Sequence, residues 1–276
     1  MKLTVLMENS PNPENSNLKY GHGLSIYAET DNKKILYDFG LRGKVSVNSS
    51  ILGIDLKSVD TAVLSHGHYD HSGDLKYFLE INSKASLYFG RNASVPRWSI
   101  SKGSPRDIGI PSDTPELTGE RFIEVDNLVD LEDLVLLPAA PGVYPKPSGN
   151  SLLLCGLEND RIQDDFSDEV TAVLRGKKGL VVLTGCSHRG ILNIVEQVRT
   201  YCFSCPVQAL IGGFHLRDSE EKEESIRETA IKMKEMIPGA EIYTGHCTES
   251  NAGKVFKEIF GSRYNKLFTG QIIKPD

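Results

Sequence analysis

No run in this chain approaches the roughly 18 apolar residues that a membrane-spanning helix needs. A membrane-embedded function is not expected. The first ten residues, MKLTVLMENS, hold only a short apolar run before Glu8, too short for the core of a secretory signal. Positive charge is in short supply. Lys and Arg number 31 against 37 Asp and Glu, a net charge of −6. With no basic tail or patch, nucleic acid is not expected as a partner. Cysteine is sparse, five residues in 276, odd in number and scattered. Without a signal, these read as reduced thiols of a cytoplasmic protein. Cys202-Phe203-Ser204-Cys205 is a C-x-x-C, but no second pair stands at zinc-finger spacing. It reads as the packed end of a helix.

Histidine is rare too, seven residues in all, yet three fall between His66 and His71. The stretch from Leu64 to Leu75 reads L-S-H-G-H-Y-D-H-S-G-D-L. Four side chains able to hold a metal, His66, His68, Asp70 and His71, lie within six residues. The apolar run Thr61 to Leu64 reads as a strand leading in. Asp74 to Leu79 has the pattern of a helix leading out. His66 and His68 are two apart and share one side of an extended chain. Asp70 and His71, at the turn, can serve a neighbouring position. One loop can thus feed two adjacent metal ions. Gly67 and Gly73 permit the tight backbone that this needs. Imidazole and carboxylate are the ligands that hydrolytic metal sites select.

Hydrophobic content of 39% and charged content of 25% describe an ordinary globular chain. It reads as one domain, residues 1–276. Lys2 to Met7 reads as a strand and Asn9 to Asn17 as a loop. His22 lies between two glycines at the entrance to a second strand, Leu24 to Ala28, where it can face the mouth of a site. A third strand, from Lys34, ends in Asp38-Phe39-Gly40. Val45 to Leu56 reads as helix or loop. Residues 91–150 are rich in Pro, Ser and Gly and show no regular period. They hold the one Trp, Trp98, with Arg97, Arg106 and Arg121 around it. An irregular cap shaping a substrate pocket is expected there. Asn150 to Leu154 reads as a strand and Asp164 to Asp168 as an acidic turn.

Leu180 to Leu183 runs into Thr184-Gly185-Cys186-Ser187-His188-Arg189-Gly190. Ile191, Ile194, Val195 and Val198 then recur at helical spacing. Val207 to Ile211 ends in Gly212-Gly213-Phe214-His215. Glu220 to Ile237 reads as a charged amphipathic helix stopped by Pro238-Gly239. Glu241 to Thr244 ends in Gly245-His246-Cys247. Asn251 to Phe260 reads as a helix and Asn265 to Thr269 as a terminal strand. Five strands therefore end in a polar loop with a candidate ligand: Asp38, the His66 cluster, Cys186 with His188, His215 and His246.

The H-x-H-x-D-H run at residues 66–71 resembles the signature of the metallo-β-lactamase-fold superfamily. The ligand motifs from residue 38 to 246 extend that resemblance over essentially the whole chain. G-H-G-L-S at 21–25, T-G-C-S-H-R-G at 184–190, G-G-F-H-L at 212–216 and T-G-H-C-T at 244–248 narrow it. They resemble the branch of 7,8-dihydropterin-6-yl-methyl-4-(β-D-ribofuranosyl)aminobenzene 5′-phosphate synthase.

The resemblance implies an α/β four-layer αββα sandwich with its active site along one sheet edge. It implies two divalent transition metals, zinc first, with iron or manganese as alternatives. His66, His68 and His188 look like ligands of the first metal. Asp70, His71 and His246 look like ligands of the second, and Asp38 would orient an imidazole from behind. The superfamily usually bridges the metals with an Asp, and none stands at that place here. Cys186 or His215 would fill it, and the sequence leaves the two open.

The implied function is a metal-dependent enzyme, hydrolase or dihydropterin transferase. Its partner would be a small molecule, with or without a phosphate. Asp70 would orient the attacking group, and His215 or His22 would assist the leaving group. Arg97, Trp98, Arg106 and Arg189 would contact substrate. The alternative is a metal-binding sensor or interaction module without turnover, responsive through Cys186 and Cys247.

Overall fold

The computed structural model describes residues 1–275. Its apolar runs become strands buried on both faces. Thr61–Leu64 and Leu180–Thr184 are buried along their whole length, as strands covered by a layer on each side must be.

Two seven-stranded sheets share one plan. In the first, Lys34–Tyr37, Thr61–Leu64, Ser86–Phe89 and Phe122–Glu124 run parallel. Ser25–Glu29, Lys2–Met7 and Ile272–Ile273 continue the sheet antiparallel on the other side. In the second, Leu180–Thr184, Val207–Gly212, Glu241–Thr244 and Tyr264–Lys266 run parallel. Thr171–Arg175, Leu134–Leu137 and Val129–Asp130 complete it antiparallel.

Strand periodicity sorts the side chains into layers. Val181, Leu183, Ala209 and Ile211 meet Leu3, Val5, Ile35 and Val63 between the sheets. The alternate residues Val182 and Leu210, with Ile242, face away and pack under Ile194, Ile226 and Phe256. Those three come from helices Ile191–Tyr201, Glu223–Met236 and Ser250–Phe260. On the outer face of the first sheet, Leu36, Leu64 and Leu87 pack with Val45, Leu75 and Phe78. The last three belong to helices Val45–Ile51 and Leu75–Ile81. The result is helix, sheet, sheet, helix, the expected αββα order. The C-terminal ends of both sets of parallel strands open onto one edge, where ligand sites of α/β sheets form.

The segment 91–150 is more regular than expected. Arg97–Ser99 and Arg106–Asp107 join Leu153–Cys155 and Ile162–Gln163 in a third, four-stranded sheet. Phe122–Glu124, Val129–Asp130 and Leu134–Leu137 are edge strands of the two large sheets. Strands of two to four residues are too short to show a period in the sequence. Two boundaries also differ. Ser148–Leu152 is a 3₁₀ turn, and the strand begins only at Leu153. The terminal strand is Tyr264–Lys266, followed by Ile272–Ile273. The reading of all five cysteines as reduced is corrected as well. Cys202 and Cys205 form a disulfide, with Cα atoms 5.3 Å apart where the chain turns at the end of its helix.

The layer between the sheets supplies a prediction. Leu183→Ala should destabilise the protein by about 2–5 kcal/mol, since the cavity lies between two strand layers that cannot collapse onto it. Leu157→Ala, at a side chain 67% exposed, should change stability by less than about 0.5 kcal/mol. Urea unfolding of the two variants measures both.

Candidate metal centre

Four of the five parallel strands that carry a candidate ligand stop in a left-handed backbone turn. Asp38, Ser187, His215 and His246 stand at φ 63°, 60°, 49° and 53°. Non-glycine residues seldom enter this left-handed region. Each such residue costs about 1–3 kcal/mol unless its surroundings hold it, and such strain gathers at functional sites. Here the four turns throw side chains from both sheets towards one point. The loop after Thr61–Leu64 completes the ring. A side chain at Gly67 would come 2.0 Å from the Ala93 carbonyl oxygen, so this loop can only pass here as glycine.

The donor atoms converge in two sets. His66, His68 and His188 place one nitrogen each within 4.8 Å of one another. His66 Nε2 and His68 Nδ1 are 3.0 Å apart. In the second set, His71 Nε2 and His246 Nε2 are 3.0 Å apart. Asp70 Oδ2 lies 3.5 Å from His246 Nε2 and 3.9 Å from His71 Nε2. Cys186 Sγ sits 3.2 Å from His71 Nε2 and 3.3 Å from His246 Nε2. All of these residues are buried.

Most of these rings are held from behind. Asp38 Oδ2 lies 2.6 Å from His71 Nδ1, and its two oxygens also accept from the Ser65 N–H and hydroxyl. The Ser65 hydroxyl meets His66 Nδ1 at 2.9 Å. Asn150 brackets His188, its Oδ1 on Nδ1 at 2.9 Å and its Nδ2 donating to the His188 carbonyl. Asn9 does the same to His246, with Oδ1 on Nδ1 at 3.0 Å and Nδ2 donating to the carbonyl. Buried Glu8 accepts the His246 N–H, and buried Glu169 accepts the N–H groups of His188 and Arg189. Outer partners of this kind fix the tautomer and aim the inner nitrogen, as metal-binding imidazoles require.

The electrostatics favour the neutral ring at His66, His68, His188 and His246. Burial, aided by neighbouring imidazoles, keeps His66 and His188 well below the usual histidine range. Burial lowers His68 and His246 to about 3. These rings are neutral and keep a free lone pair, the state a cation needs. His71 goes the other way. Burial opposes its charge, but Asp38 and Asp70 outweigh that and raise it to about 9. Burial likewise works against ionised Asp70, yet His71 and His22 hold it well below the carboxylate range.

The donor set fits a divalent transition metal. The buried nitrogens His68 Nε2, His188 Nε2 and both nitrogens of His215 have no hydrogen-bond partner among the described residues. Buried polar atoms are rarely left so. The buried imidazoles, ionised Asp70 and the Cys186 thiol form a mixed N, O and S set suited to zinc, iron or cobalt.

A cavity of about 400 Å³ opens over this cluster. His22, His215, Arg217 and Glu249 stand around it, and Tyr69, Lys102, Arg106 and Ile108 face the donors. His22 reaches Asp70 Oδ2 at 3.1 Å and stacks on His246 at 4.9 Å. Arg106 lines the cavity, with its guanidinium 5.9 Å from the centre of the Tyr69 ring.

Three expected substrate contacts are corrected. Arg97 is 2% exposed and does not line the cavity. It pairs with Asp164 at 2.8 Å and Asp168 at 3.1 Å, and Asp168 in turn accepts the Gly67 N–H at 2.7 Å. Trp98 points to the opposite face of its strand, where its ring lies under Arg161 and its N–H donates to the Gly156 carbonyl. Pleat alternation sends Ser99, not Trp98, into the cavity. Arg189 is tied to the Ala140 and Asp165 carbonyls.

Sequence reasoning missed Asn9, Asn150, Asp168, Glu169 and Phe166. Phe166 stacks on His188 at 4.3 Å with ring planes 5° apart. The signal was available only in part, as the acidic run Asp164-Asp165-Phe166-Ser167-Asp168-Glu169. Its inward residues look like a solvated turn until Arg97 and His188 are seen beside them.

Comparison with known proteins gives a consistent picture. Residues 19–154 match the family model described as the metallo-beta-lactamase superfamily. A Methanocaldococcus jannaschii protein named 7,8-dihydropterin-6-methyl-4-(beta-D-ribofuranosyl)-aminobenzene-5'-phosphate synthase is 31% identical over 275 residues. The match covers 92% of this chain and 90% of that protein. The crystal structure of a metal-dependent hydrolase of the beta-lactamase superfamily is similar at a TM-score of 0.83 and 29% identity. It covers 99% of this chain and 98% of that one. A metallo-beta-lactamase fold protein from Bacillus subtilis matches over 99% of both chains at 16% identity and a TM-score of 0.55, a likeness of fold alone.

Two variants test the supports of the centre. Arg97→Met leaves two buried carboxylates without their cation and should cost about 3–5 kcal/mol in urea unfolding. Asn150→Ala frees the His188 ring and should weaken metal binding roughly 10–100-fold, read by competition with a chelator.

Proposed function

This chain belongs to the metallo-beta-lactamase superfamily, and from that premise we propose that it is a dinuclear metal-dependent enzyme acting on a small phosphate-bearing molecule. One observation carries the reading. Six buried side chains from the ends of three strands bring nitrogen and oxygen atoms together in two adjacent sets under a cavity. His66, His68 and His188 would hold one metal, and Asp70, His71 and His246 the other. When bound, two divalent metals polarise a phosphoryl or carbonyl oxygen and lower the pKa of water.

The chain's own residues then do the rest. Asp70, held ionised by His71 and His22, turns one oxygen towards the cavity floor, where it can orient an attacking group. His22 stands at the mouth with its Nε2 on Asp70 and its Nδ1 by the Asn9 amide. It is placed to pass a proton between the cavity and solvent. His215, on the His188 side, is a second proton-bearing group near the leaving position. Lys102 and Arg106 set positive charge around the cavity, which suits a phosphate, while Arg217 is paired with Glu220 and Glu249. The relative named as a synthase of a 5'-phosphate compound supports the same substrate class. Hydrolysis and group transfer both fit this geometry. Transfer needs only that an acceptor other than water enter the cavity.

Protein purified without chelators should carry about two transition-metal ions per chain on elemental analysis. A chain free of zinc, iron, cobalt, manganese and nickel would end this reading. Asp70→Asn removes a ligand and its charge and should lower kcat/KM at least about 100-fold, more than the loss of an outer partner costs. Arg106→Ala should raise KM for a phosphorylated substrate with little change in kcat. A panel of phosphomonoesters, phosphodiesters and lactones, followed by steady-state kinetics, measures these effects. Turnover confined to lactones would refute the phosphate assignment.

A further inference from the structure

We propose that Cys186 supplies the ligand shared by both metal positions, as a bridging thiolate. This rests on the metalloenzyme reading above. A shared ligand must reach both sets of donors, and Cys186 does. Its sulfur falls within one 4.8 Å group with His66 and His71, and within another with His188 and His215. A third such group joins it to His246 and Cys247. It therefore meets His66 and His188 of the first set, and His71 and His246 of the second.

The backbone explains the placement. Gly185 passes so close behind the metal loop that a side chain there would meet the Ser65 hydroxyl oxygen at 2.2 Å and His66 Nδ1 at 3.1 Å. The next residue along, Cys186, is delivered to the gap between the two sets.

The other candidates reach only one side. His215 groups with Cys186 and His188 and with no member of the second set. A neutral imidazole nitrogen also has a single lone pair, so it cannot serve two metals. Cys247 groups with Cys186 and His246 alone. Its sulfur accepts the His215 N–H at 3.2 Å and faces the Cys186 carbonyl at 3.7 Å, which ties it to backbone. A thiolate sulfur has lone pairs for two metals, and metal coordination removes the thiol proton to solvent. A sulfur at this point also selects the metal. It favours zinc, iron(II) and cobalt(II) over magnesium, calcium and manganese, which take oxygen ligands.

X-ray absorption of the full-length zinc-loaded protein tests the proposal. A bridge gives an average of one sulfur neighbour per metal at about 2.3 Å, beside nitrogen and oxygen neighbours at about 2.0–2.2 Å. Cobalt(II)-loaded protein should show a near-ultraviolet sulfur-to-metal charge-transfer band. That band should vanish in Cys186→Ser and persist in Cys247→Ser. Cys186→Asp should bind both metals with no sulfur neighbour. Should either Cys186 variant fail to fold, the sulfur count of the unaltered protein still decides. Half a sulfur per metal means a terminal thiolate and overturns the bridge. So does a shell of nitrogen and oxygen alone, or a band lost only in Cys247→Ser. In those cases two bound metals leave the metalloenzyme reading standing. No bound metal at all overturns both.

Discussion

The centre depends on hydrogen bonds made on the far side of its imidazoles. His71, His188 and His246 each use Nδ1 to hold Asp38, Asn150 or Asn9, which leaves Nε2 to face inward. Without those contacts a buried ring could flip or change tautomer, and its lone pair would point elsewhere. The contacts come from distant stretches of chain. Asn9 and His246 are 237 residues apart, so the aim of this candidate ligand depends on both sheets being assembled. Folding and metal competence are therefore coupled through side chains that need not touch a metal.

The same dependence explains the strain at the strand ends. Four non-glycine residues sit in left-handed turns at the edge where the sheets meet. A relaxed turn would carry each side chain past the common point. The core between the sheets supplies the rigidity. Val181, Leu183, Ala209 and Ile211 interdigitate with the first sheet only a few residues before the turns begin. Close packing of this sort resists small shifts and keeps both donor sets within bonding range.

Much of this was legible in the sequence because it is written locally. His66, His68, Asp70 and His71 lie in one loop, and His188, His215 and His246 each follow an apolar strand and a glycine or two. Strand and helix periods of the larger elements were likewise plain. What escaped notice depends on long-range pairing. Arg97 and Trp98 looked like pocket residues because an arginine beside an aromatic in a polar stretch resembles a binding loop. Only the register of Arg97–Ser99 against Leu153–Cys155 shows which face each side chain takes. Asn9 and Asn150 were invisible for the same reason, since an asparagine in a loop is unremarkable until its partner ring is known. The two- and three-residue strands of the small sheet carry too few residues for any pattern to emerge.

Arg97 has one more consequence. It stands on a strand of the small sheet, yet its charge is spent on Asp164 and Asp168, and Asp168 grips the backbone between His66 and His68. Roof and floor of the cavity are thereby riveted together. Lifting the roof like a lid would strand two carboxylates and a guanidinium in an apolar interior. The cavity wall above the metal loop is therefore held in one position. A substrate has to fit that wall as it stands, because reshaping it would break two buried ion pairs.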